Sequence, residues 1–358
     1  MYSKVVLVCL IVILAGLVLF LGGYLLTDKN PGQKANIANL SGFDSEEEGS
    51  QSDPASRLYR LSTTKATSPA LSEDGKRVLF FEAASGKVLD SDFEGKDSTV
   101  VSGKLLTGFS TAEWSRSGYE TLIALRSKNN LGYSYFNLKT GQISKLNPKI
   151  TNPVWSPSGQ KIAYLFFDSA AGEGQISVSN PDGSVYKNVL PARLDQIAVL
   201  WPKDNLLAFH NRTGEERTLF SLSADGEQLE KLLGPLANLK VLWSPDASKI
   251  WISYTVDQQK KASLVDVKNR TETAFDLITS ADKCVWSANS VQVYCGGKTA
   301  EDQSEGLFNV DTKTSKVHHL FSPSGAEDID IANPFLAPAE NYIIFINAYD
   351  QYLYSISL

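Results

Sequence analysis

Cysteine and histidine are nearly missing from this chain. Three cysteines (Cys9, Cys284, Cys295) and three histidines (His210, His318, His319) among 358 residues exclude a disulfide-dense scaffold and a thiolate metal cluster. No metal and no cofactor is expected. A basic surplus is missing as well. Lys and Arg number 34 against 40 Asp and Glu, for a net charge of -6, so no basic face is on offer to nucleic acid. There is no G-x-S-x-G elbow for a hydrolase nucleophile. Long apolar runs are also absent, with one exception at the N-terminus.

That exception is residues 5–26, "VVLVCLIVILAGLVLFLGGYLL", which carry no charge. As a helix these positions span roughly 33 Å, enough for a bilayer core. A cleaved signal peptide would have a shorter apolar region and a small-x-small site, so an uncleaved transmembrane anchor is the preferred reading. Residues 1–4 then form a short cytoplasmic tail. The polar, acidic stretch 27–56 cannot bury enough to offset its ordering entropy and reads as a disordered tether. Flanking lysines do not decide the orientation.

What is present, from residue 57 onward, is a repeat. "WSPSGQKIAYL" begins at Trp155, with echoes at Trp114, Trp201, Trp243 and Trp286; Leu71 and Leu336 fill the same slot without an indole. The anchors at 71, 114, 155, 201, 243, 286 and 336 are spaced by 43, 41, 46, 42, 43 and 50 residues. A second signature follows each anchor: strand, tight turn, strand, as in "YSYFNLKTGQISKLN". Alternation has period two, which excludes helical repeats of similar length. Four short antiparallel strands at this spacing predict an all-β fold, a seven-bladed β-propeller over residues 57–358.

The chain ends in "QYLYSISL", one strand short of a complete last unit. An unpaired edge is a liability. Residues 56–65, "SRLYRLSTTK", have no hairpin partner of their own, so this N-terminal strand is expected to complete the last blade and close the ring.

The box W-S-P-x-G-x-x-I-A, carried by Trp155, Ser156, Pro157, Gly159, Ile162 and Ala163, resembles the TolB-type propeller repeat. Residues 243–250 match in part, with Ala247 where glycine is usual. The resemblance implies export, and a binding platform for envelope proteins on the periplasmic or outer side of the membrane. Here the anchor and tether stand where TolB has an α/β domain, so TolB's own partners do not carry over.

Chemistry is scarce. "CGGKT" (295–299) lacks the leading glycine of a phosphate loop and is read as a loop between strands. "DSDFEG" (90–95) lacks the terminal glutamate of a calcium loop. The anchor tryptophans read as wedges between neighbouring blades. His210, His318 and His319 read as ordinary surface residues. The loops entering the first strands surround one mouth of the central channel and carry Lys149, Asn152, Arg193, Asp195, Lys240, Asp282, Lys283, Glu327, Asp328 and Asp330. These are the expected binding residues. Cys284 and Cys295 fall opposite each other if the tip lies at Asn289-Ser290, giving either a disulfide or two buried thiols. The expectation is a non-catalytic protein-binding scaffold or receptor at the cell envelope. The alternative is an envelope enzyme acting on a polysaccharide or peptide at the channel mouth.

Overall fold

The computed structural model describes residues 57–358, except 129, 194, 303 and 324–327. The expected tail, anchor and tether, with Cys9, lie outside the described residues, as does Glu327. Among the described residues no helix is long and apolar enough to cross a membrane.

All of the regular structure is antiparallel sheet: five four-stranded sheets and one of seven strands. The seven-stranded sheet arises because one strand, Leu229–Trp243, runs without a break from the end of one unit into the start of the next. Two separate strands were expected there.

Four of the box turns are built the same way. The box serine accepts a hydrogen bond from the amide five residues on: Arg77 to Ser72, Lys161 to Ser156, Lys249 to Ser244 and Gln292 to Ser287, at 2.9–3.1 Å. Where the box glycine stands, the backbone is left-handed, with φ of 69, 71 and 72° at Gly75, Gly118 and Gly159. This is the reason for glycine, which has no Cβ to clash. Ala247, Ser290 and Glu340 take the same conformation at 58, 59 and 54° without that freedom.

A second device sits in the first strands. Bulges interrupt the pairing after Thr67, Thr151, Ala237 and Ala332. Ser68, Asn152, Asn238 and Asn333 follow them with φ between 47 and 52°; Pro69, Pro153 and Pro334 come next in three cases. A bulge tolerates a proline because the ladder already lacks a bond there. The bulge residue then reaches the next unit. Ser68 Oγ accepts from the amide of Ala112 at 2.8 Å, and Asn152 Nδ2 donates to the carbonyl of Ile197 at 3.3 Å.

The anchor indoles join units too. Trp114 Nε1 donates to Ser68 O (2.6 Å), Trp155 Nε1 to Glu113 O (2.9 Å) and Trp286 Nε1 to Leu242 O (3.1 Å).

The two ends of the described chain meet. Strand Leu58–Arg60 pairs with Leu353–Ser357 in the register Leu58↔Ile356, Tyr59↔Ser355, Arg60↔Tyr354. The strand itself is only three residues long, and side chains extend the join. Arg57 donates from Nε and Nη2 to the carbonyl of Ser357 at 2.9 and 2.6 Å, and Leu61, 2% exposed, packs with Phe80, Ile344 and Leu353.

One sequence expectation is overturned. "CGGKT" is no loop: Cys295, Gly296 and Gly297 lie inside strand Gln292–Lys298. The glycines serve packing. A Cβ on Gly296 would stand 2.5 Å from Ile331 Cβ and 2.7 Å from Glu305 Oε1, so only glycine lets the neighbouring unit approach this closely.

Candidate functional site: an axial channel and its charged rim

The first strands converge on two adjoining cavities that share Asn333 and Pro334. One, of about 690 Å³, is bordered by the bulges and box turns around Ser68, Glu113, Arg116 and Trp155. The other, of about 450 Å³, is bordered by Leu200, His210, Arg217, Lys240 and Asp282. Together they form an axial channel whose wall is contributed by every sheet.

Glu113 is the one charged residue immediately ahead of an anchor; Ala70, Val154, Leu200, Leu242, Val285 and Phe335 occupy that place elsewhere. Its carboxylate is open to channel water but enclosed by protein walls. Desolvation by those walls pushes its pKa up to about 7, against a stabilising hydrogen bond from the Trp155 amide at 3.3 Å. It is a departure from the repeat that sequence reasoning passed over, although the apolar residue at every other copy of the position would have exposed it.

The ten expected binding residues do not form one cluster. Lys149 pairs with Asp168 at 2.6 Å, beside a cavity of about 430 Å³ that also takes in Arg193. Asn152 accepts from Arg212 Nη1 at 2.6 Å, while Asp195 is exposed. Lys240 pairs with Asp282 at 2.6 Å on the axial channel. Desolvation works to raise the Asp282 pKa, yet the Lys240 ammonium holds it below the usual carboxylate range.

Lys283 is held at 2.5 Å by both Glu305 and Asp330. Glu305 was not foreseen. Its other oxygen accepts from the amide of Ile331 at 2.8 Å, so the residue leading into the third strand of one unit fixes the first strand of the next. Burial raises the Glu305 pKa, with Lys283 opposing. Asp328 borders two further cavities, of about 330 and 420 Å³.

The histidines are not alike. His318 and His319 are exposed on the outer strand Lys316–Phe321. His319 Nε2 lies 2.8 Å from Ser322 Oγ and its ring packs on Phe308, but among the described residues no carboxylate is hydrogen-bonded to its other nitrogen. A serine–histidine contact without that third group is not a triad. His210 is half-buried on the axial channel, not an ordinary surface residue. Among the described residues no group of three or more His, Cys, Asp or Glu could hold a metal ion.

Cys284 and Cys295 are paired across their strands, and their sulfurs are bonded, with a Cα separation of 4.1 Å. The bridge is buried in a cluster with Trp251, Phe275, Trp286 and Phe308.

No family model and no curated protein matches the chain. Among solved structures it is similar to an oligogalacturonate lyase in complex with manganese, at 13% identity over 84% of this chain and 93% of that one, with a TM-score of 0.63. It is also similar to the β-propeller domain of Myceliophteria thermophila Cps50 (Swd1), at 12% identity over 84% and 99%, TM-score 0.58. TolB from Acinetobacter baumannii is more distant in shape, at 13% identity over 76% and 65%, TM-score 0.47. Likeness at such identity is likeness of fold, and the chain is a β-propeller. Propellers include enzymes and binding modules alike, so the fold does not choose between them.

Proposed function

We propose that this chain is a seven-bladed, membrane-anchored propeller displayed on the extracytoplasmic side of the cell membrane, where it acts as a non-catalytic protein-binding scaffold or receptor. In this reading residues 5–26 span the bilayer, 27–56 tether the propeller, and partners dock on the mouth of the axial channel. The observation that carries the reading is the channel itself. It is open and concave, and fixed charges of both signs stand on its wall and rim, which suits recognition of a protein surface. The buried Cys284–Cys295 bridge supports the compartment, since such bonds persist where the surroundings are oxidising. The TolB-type box at Trp155–Ala163 supports an envelope role.

Affinity capture from native membranes tests it. The wild-type chain is expected to retain a protein partner that the charge-reversed variant R193E/D282K/D328K loses, while both melt alike, since exposed substitutions cost within about 0.5 kcal/mol. Equal capture by both would move the docking face away from this mouth.

A further inference from the structure

Arg217 stands on the 450 Å³ cavity without a counter-charge. Its Nη1 donates to the carbonyl of Leu239 at 3.0 Å, and its Nε is buried with no acceptor. Among the described residues it makes no ion pair, whereas Arg77 is held by Asp90 and Asp97 and Arg270 by Glu230. A partly buried guanidinium left unpaired is costly, and its planar fork is shaped for a carboxylate.

The rest of the cavity limits what the guanidinium could receive. Lys240 is neutralised by Asp282 at 2.6 Å. His210 Nδ1 lies 2.8 Å from the carbonyl of Asn211 and must donate to it, which leaves Nε2 as the titrating nitrogen. Burial, and then Arg217 and Arg212, lower the His210 pKa, so the ring is neutral at pH 7. The fixed charges of the cavity therefore sum to a single positive one.

We propose that this cavity is a binding site for one carboxylate, received by the Arg217 fork beside His210. A singly charged anion balances the site, while a doubly charged phosphate would set a second negative charge near Asp282. The site does not depend on the scaffold reading. Only the identity of the carrier rests on it: an acidic side chain of a docked protein, or a free organic acid.

Binding would be read at His210, which faces Arg217 on its neighbouring strand, Arg212 in the loop beyond, and Lys240 and Asp282 on the cavity wall. An anion in the fork offsets Arg217 and raises the His210 pKa. With three histidines in the chain, their imidazole NMR signals are separable. The full chain would be titrated at pH 8, where inorganic phosphate is mostly doubly charged, with acetate, with phosphate, and with the capped peptide acetyl-Gly-Glu-Gly-amide, and the His210 pKa would then be followed with acetate or the peptide bound.

Acetate and the peptide are expected to saturate and to raise the His210 pKa, with phosphate at least tenfold weaker. R217Q should lose at least tenfold in acetate affinity, R217K should recover part of it, and unchanged His318 and His319 signals would show both variants folded. A peptide binding much more tightly than acetate assigns the site to a protein carrier, and equal affinities assign it to a free acid. No His210 response to any anion, undiminished acetate binding in R217Q, or a preference for phosphate would overturn the proposal.

Discussion

The two halves of the propeller are held together differently. From Ala66 to Ser179 the repeat is regular: the bulge residues Ser68 and Asn152 reach the next unit, and Trp114 and Trp155 bond back to the preceding one. From Ile197 to Phe321 it loosens. Trp201 turns to the carbonyl of its own Asp204 at 3.3 Å, Trp243 Nε1 is buried with no acceptor, and one strand serves two units. The loosened half also holds the Cys284–Cys295 bridge and the Lys283–Glu305 pair, with Lys283 reaching on to Asp330 of the next unit. The indole contact lapses at Trp201 and Trp243 and is kept at Trp286, and a covalent bond and an ion-pair group lie in the units beside the lapse. Side chains released from the repeat, such as Arg217, are then free to face the channel. Glu113 is the exception that sits in the regular half.

Both halves meet at the join between the chain ends, and breaking it should have the largest effect. A chain beginning at residue 57 is expected to melt as a propeller. One beginning at residue 62 loses Leu58, Leu61 and a strand pairing, which costs at least about 4 kcal/mol and exposes the edge of Leu353–Ser357 to aggregation. Thermal unfolding with light scattering checks both. Next comes C284S/C295S, expected to lose about 3 kcal/mol in urea unfolding because the loop it closes is short.

The indoles sharpen the contrast on a smaller scale. W114F gives up a hydrogen bond that W243F never had, so chemical denaturation should separate the two by about 1 kcal/mol. The smallest effect is at Glu113. A carboxyl whose folded pKa is raised from 4.5 to about 7 binds more protons folded than unfolded between those values. Its contribution is therefore present below pH 4.5 and lost as pH rises through 7. E113Q should match the wild type at pH 5 and melt slightly higher at pH 8. Channel water screens the charge, which keeps the difference modest.

Much of this architecture was legible in the sequence, for identifiable reasons. The box at Trp155 could be read because its left-handed turn favours glycine and its capping hydrogen bond needs serine, each in a fixed place. The partner of "QYLYSISL" could be read because an unpaired edge is costly and only residues 57–61 were free. The bulges were missed although "TSPAL", "TNPVW" and "ANPFL" repeat in plain view, since a proline there reads as a break rather than as part of a strand. The rim residues were chosen from loops alone. Their partners Asp168 and Glu305 come from the end of a second strand and the lead-in to a third, and Arg217 from a third strand, so the loops entering the first strands held no trace of them.

Amide hydrogen exchange on the oxidised and the reduced protein tests the division most directly. If a covalent bond stands in for the lapsed contacts, reduction will speed exchange in Ile278–Trp286, Gln292–Lys298 and the adjoining Leu229–Trp243, and leave the strands from Ala66 to Ser179 as they were. Equal acceleration in both halves, or none in either, would contradict it.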